Sequence, residues 1–95
     1  MNVISLKRLR KFSSRHRDAE IPLSAWYSVA KKAKWQNLAE VKQVYPAADL
    51  VGRHTVFNIK GNAYRLIARI KYSSQTLFIV AVLTHEEYDL GKWKE

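Results

Sequence analysis

The hydrophobic period changes once along this chain, and that change constrains its fold more than any other feature. In the first half, apolar residues recur at helical spacing. Leu6, Leu9 and Phe12 make one stripe, and Leu23, Trp26, Tyr27, Ala30 and Ala33 make a second. From Arg53 the period falls to 2. Arg53, Thr55, Phe57 and Ile59 share one face while His54, Val56 and Asn58 take the other. Over residues 63–72, Leu66, Ala68 and Ile70 point one way and Arg65, Ile67, Arg69 and Lys71 the other. Residues 76–83 are apolar almost throughout, which predicts a strand buried on both faces. A helical half followed by a stranded half is an α+β pattern, and 95 residues suit one domain spanning residues 1–95.

Local signals punctuate this pattern. Residues 1–4 read as a short strand, and Ser5 as the N-cap of the first helix. Pro22 suits the first turn of a second helix, whose C-terminal Lys31, Lys32 and Lys34 complement its dipole. Asn37 with Glu40 reads as a capping box for a short third helix that Pro46 ends. Lys60-Gly61-Asn62 and Ser73-Ser74-Gln75 are turn chemistry between strands. The result is a three-strand meander, joined at one edge by the N-terminal strand. The helices pack on one face, leaving arginines and lysines on the other. Arg65 and Arg69 then lie two pleats apart on one exposed side, which fits either an anion held between them or a solvated sheet face, where Lys and Arg are common.

Charge is the first functional clue. Seventeen Lys and Arg oppose eight Asp and Glu, a net +9. Residues 1–35 hold nine basic and two acidic residues, and residues 36–95 hold eight and six. That density favours a polyanionic partner, nucleic acid or an acidic protein. The absence of cysteine excludes disulfides, thiolate nucleophiles and sulfur-ligated metals. His16, His54 and His85 lack metal-ligand spacing, so no metal or cofactor is expected. No apolar run reaches the ~18 residues of a membrane span. Lys7, Arg8, Arg10 and Lys11 interrupt the only candidate leader, so a cytoplasmic protein is expected.

The last segment carries the chemistry. Thr84 with Glu87 fits a capping box, so a short helix starts there. On it His85, Tyr88 and Asp89 fall at i, i+3 and i+4, hence on one face. Asp89 can hold the His85 imidazole in one tautomer, and histidine is the natural proton carrier near neutral pH. Beside a basic sheet face this suits phosphodiester cleavage. A packed helix-start histidine and a core tyrosine are the plainer reading of the same residues.

The run Val56-Phe57-Asn58-Ile59-Lys60-Gly61-Asn62-Ala63-Tyr64-Arg65-Leu66-Ile67, followed by Thr84-His85-Glu86-Glu87-Tyr88-Asp89, resembles the HigB family of bacterial type II toxins. So do Ile4 to Phe12 and Pro22 to Tyr27, and the resemblance spans nearly the whole chain. It implies a RelE-like fold: two N-terminal helices on a small, mostly antiparallel sheet of about four strands, with a short C-terminal helix. It also implies an mRNA interferase, an endoribonuclease acting on mRNA within the translating ribosome. Such toxins are held inactive by a cognate antitoxin, often of helix-turn-helix HigA type, and meet promoter DNA only through that complex.

The implied mechanism is metal-free, with attack by the ribose 2′-OH on the scissile phosphate. Carried over by motif, Arg65 is the phosphate clamp and His85 the acid or base. Tyr88 stands beside them, where it can stack on a base or bond to the phosphate. His54, Lys60, Asn62, Arg69 and Lys71 would bind RNA, and Lys7, Arg8, Lys11 and Arg15 ribosomal RNA. Many family members have a basic residue where this chain has Val80, and glycine where it has Leu83. A non-catalytic RNA- or ribosome-binding module of the same fold shares every feature except the need for Arg65 and His85 at one phosphate. A partner-only protein, its basic surface meeting an acidic antitoxin, is a third reading.

Overall fold

Five strands order as β1-β5-β4-β3-β2 in the computed structural model, which describes residues 1–94. The elements run β1 (Asn2–Ile4), α1 (Lys7–Arg15), α2 (Glu20–Lys32), α3 (Leu38–Val44), β2 (Asp49–Val51), β3 (His54–Ile59), β4 (Tyr64–Lys71), β5 (Thr76–Thr84) and α4 (His85–Leu90). The meander β3-β4-β5 is antiparallel and the N-terminal strand joins it at one edge, as expected; that strand, β1, pairs with β5 in parallel. The sheet has one strand more than expected. Asp49–Val51 pairs with β3 as a three-residue outer edge, too short to show a period.

Helices α1 and α2 cover one face. Leu9, Phe12, Leu23, Trp26 and Ala30 meet Phe57, Leu66, Leu77 and Ile79 in a single buried cluster. Phe57 is fully buried, edge-on to Trp26 at 5.4 Å and to Tyr45 at 5.4 Å. Pro22 lies in the first turn of α2, where its missing N–H costs nothing. The Met1 ammonium donates to the carbonyls of Ala30, Lys31 and Ala33, closing the other end of that helix.

Four local expectations are corrected. Ser5 does not cap α1: it takes a left-handed backbone (φ 76°) to turn the chain out of β1, and Leu6 stands at the cap without a side-chain bond. The Asn37 box is half formed. Its carboxamide accepts from Glu40 N–H at 3.0 Å, but the Glu40 carboxylate accepts from Gln36 N–H, one residue early. Strand β5 is not buried on both faces, since Phe78 is 43% exposed while Leu77 and Ile79 are buried. Lastly, Arg65 is not exposed beside Arg69. Only 8% of it reaches solvent, because α4 folds back over that face.

The reason for the β5 pattern is a bulge. Ile67 pairs with Ala81, but Ala68 pairs with Ile79, so Val80 is an extra residue. The alternation resets there. Leu77 and Ile79 turn into the core, and Phe78 turns out to lie directly opposite Arg69.

Candidate active site

The face away from α1 and α2 is built by His54, Val56 and Asn58 of β3, by Arg65, Ile67, Arg69 and Lys71 of β4, and by Phe78, Ala81 and Leu83 of β5. Val56 and Ile67 are buried yet stand outside the main core cluster, because the C-terminal segment covers this face. The turn Lys60-Gly61, with both residues at positive φ, returns the chain into β4 as expected. It also brings Asn62 back over Arg65. The guanidinium donates through Nη1 to the carbonyls of Asn62 (3.2 Å) and Tyr64 (3.1 Å), and through Nη2 to Asn62 Oδ1 (2.5 Å). Among the described residues Nε–H and the second Nη2–H have no partner, so one donor edge of the fork is left for a ligand.

Helix α4 begins at the expected cap. Thr84 Oγ1 accepts from Glu87 N–H at 3.2 Å, and Glu87 Oε1 accepts from Thr84 N–H at 2.9 Å. The His85 amide donates to Ala63 O at 3.2 Å, tying the helix start to the β3–β4 turn. His85 Nδ1 lies 3.0 Å from Asp89 Oδ2, so its Nε2 is the atom presented outward. One turn on, the Tyr88 ring lies 5.4 Å from the Arg65 guanidinium, and Trp93 stacks on its far side at 5.0 Å. Trp93 also donates from Nε1 to Tyr88 O at 2.9 Å and stands edge-on to His54 at 5.8 Å. Burial, then the Arg69 and Arg53 charges, hold His54 below the usual histidine range.

Arg65, Asn62, His85 and Tyr88 therefore gather at one end of the face. His54 does not join them. It lies four residues along β3 from Asn58, the partner of Arg65, a separation of about 13 Å. It groups instead with Arg69 and Arg53. Lys60 is drawn away altogether. It forms an ion pair with Asp18 at 2.6 Å on the helix side, where Tyr64 Oη donates to the same carboxylate at 2.6 Å. Both bonds hold Asp18 below the usual carboxylate range. Lys7, Lys11 and Arg15 are exposed along α1, and Arg8 reaches a cleft beside Arg69.

Residues 19–91 match the family model described as the HigB toxin, RelE-like toxic component of a toxin-antitoxin system. The chain belongs to the HigB toxin family. The mRNA interferase toxin HigB of Escherichia coli (strain K12) is 30% identical over 92 residues, covering 94% of this chain and 88% of the relative. The mRNA interferase HigB of Shigella flexneri matches to the same extent. Another mRNA interferase HigB, of Escherichia coli O6:H1, is 24% identical over 92 residues. The α+β architecture accords with a RelE-like fold, and membership implies a cognate antitoxin. No described helix is long and apolar enough to cross a membrane.

Sequence reasoning missed three residues of this HigB-family face. Trp93 follows Gly91, a left-handed helix stop, and an aromatic residue just past such a stop commonly folds back on its helix. That signal was legible. Arg53 and Phe78 had none, because the strand end and the bulge that orient them are set by pairing. Val80 is the bulged residue, and Leu83 stands directly opposite Arg65.

Proposed function

We propose that this chain is the toxin of a type II toxin–antitoxin pair and an endoribonuclease that cleaves mRNA on the translating ribosome. The observation that supports this best is Arg65: a buried guanidinium, fixed by three hydrogen bonds, with one donor edge open beside α4. Such a fork matches two phosphoryl oxygens, which an ammonium cannot do in the same geometry.

The reaction follows from the groups present. The ribose 2′ oxygen attacks phosphorus and gives its proton to His85 Nε2, the nitrogen that Asp89 leaves free. Charge gathers on the phosphoryl oxygens and Arg65 stabilises it. The bond from phosphorus to the 5′ oxygen breaks, and that oxygen leaves with a proton from the Tyr88 hydroxyl or from water; Tyr88→Phe distinguishes the two. The products are a 2′,3′-cyclic phosphate and a 5′-OH. Asn62 positions Arg65, while His54, Arg69 and Lys71 hold the strand beyond the scissile phosphate. Lys7, Lys11 and Arg15 face ribosomal RNA, whose alignment of the message supplies several kcal/mol of the barrier reduction. The whole of residues 1–95 acts as one domain in the cytoplasm. A helix-turn-helix antitoxin of HigA type neutralises it, and the complex alone meets promoter DNA.

The test is induction of this protein alone in a bacterial host, with primer extension on abundant messages, beside His85→Ala and Arg65→Ala. New 5′ ends within translated regions, absent in both variants, are the expected result. Growth arrest without new ends would leave a non-catalytic RNA- or ribosome-binding module.

A further inference from the structure

About 13 Å along β4 from Arg65, a cleft of about 610 Å³ opens beside Arg69 and Phe78 and reaches round the sheet to Ser5 and Arg8 at the start of α1. Its walls include Arg8 from α1, Arg53 ahead of β3, and Arg69 and Lys71 from β4. All four are exposed, no acidic residue lines the cleft, and none of the four forms an ion pair among the described residues. Between these cations stands Phe78, 43% exposed. An exposed phenyl ring on a strand is normally a cost, and here the Val80 bulge turns it outward opposite Arg69.

We infer that this cleft is a second nucleotide subsite, in which Phe78 stacks on an unpaired RNA base while Arg8, Arg53, Arg69 and Lys71 contact the phosphates on either side. The inference rests on the interferase reading for the identity of the strand, since the cleft continues the face on which Arg65 holds the scissile phosphate. An aromatic face flanked by unpaired cations is the usual device for single strands: the ring accepts any base and the cations track the backbone. It also moves Arg8 out of the ribosome-facing set, because α1 projects that side chain into the cleft while Lys7, Lys11 and Arg15 do not line it.

The test uses the full chain and a short, fluorescein-labelled single-stranded RNA with 2′-O-methyl riboses, which the 2′-OH mechanism cannot cleave. Binding is read by anisotropy over a salt series. Phe78→Ala should weaken binding about tenfold, the typical loss for one stacked base, and Phe78→Trp should restore it. Phe78→Leu keeps an apolar side chain on the strand and should still lose the affinity. Arg53→Ala and Arg69→Ala should each reduce the salt slope by about 0.7, the value for one phosphate on a single strand. Lys42→Ala, on α3, should leave affinity and slope unchanged.

Wild-type affinity in Phe78→Ala, or equal losses in Lys42→Ala and Arg69→Ala, would overturn the proposal. So would a wild-type protein that ignores this RNA but binds a polyglutamate peptide through the same residues. The assay needs no cleavage. The expected binding pattern without new 5′ ends in cells would sink the interferase reading and leave the cleft, and the converse result would sink only the cleft.

Discussion

Replacing Thr84 by alanine removes one threonine hydroxyl and tests whether α4 is held as the structure indicates. The helix has six residues and buries none of them fully, so it is far too short to persist alone. Its start rests on two reciprocal bonds, at 3.2 and 2.9 Å between Thr84 and Glu87, and on the His85 amide bond to Ala63. Losing an N-cap of this kind costs about 1 kcal/mol, within a range of ~0.5–2. That raises the opening constant of α4 about fivefold. Hydrogen exchange of the α4 amides should accelerate by that factor while the β4 and β5 amides keep their protection. Single-turnover cleavage should fall by no more than the same factor, because Thr84 positions His85 and does not meet the reacting atoms. Thr84→Ser should restore both. Unchanged exchange in α4 would refute the capping argument. A loss of cleavage beyond about a hundredfold would refute the claim that Thr84 acts only through the helix.

Four further outcomes follow from the same geometry. Arg65→Lys should lower cleavage by about 10²–10³, since the ammonium loses the paired donors aimed at the phosphoryl oxygens, and His85→Ala should lower it by about 10²–10⁴; single-turnover rates on programmed ribosomes measure both. Phe57→Ala should destabilise the fold by about 3–5 kcal/mol in urea titration, because Trp26, Trp35 and Tyr45 all pack on that ring. His54 sits below its unfolded value near 6.5, so the unfolded chain binds the extra proton between the two values. Its contribution is complete above pH ~6.5 and is lost as pH falls through the folded value. Between pH 7.5 and 5, the melting temperature of the wild type should therefore drop further than that of His54→Gln, and parallel curves would refute the assignment.

Features set by residues within about four positions of one another were legible in the sequence. The Thr84–Glu87 box, the Asn37 cap, the turn at Lys60-Gly61, the His85–Asp89 pair and the alternation of β3 and β4 are all of this kind. Their energetics depend on local spacing, which the chain states directly. So was the packing of helices on one side of the sheet.

What required tertiary structure depends on segments far apart in the chain. Arg65 reads as an exposed strand residue until α4 is laid over it, which turns an expected repulsion with Arg69 into a clamp tied down by Asn62, Tyr64 and Tyr88. Lys60 reads as a free surface cation until Asp18, 42 positions away, pairs with it. Phe78 reads as core until one extra residue at Val80 reverses the alternation, which no pattern of apolar residues within β5 reveals because both neighbours of Phe78 are apolar too. The sequence by itself determined which segments form helices and strands and where the His85–Asp89 pair stands. The pairing register, with its single bulge, decided which charges are buried, which are spoken for, and which stand exposed on the open face.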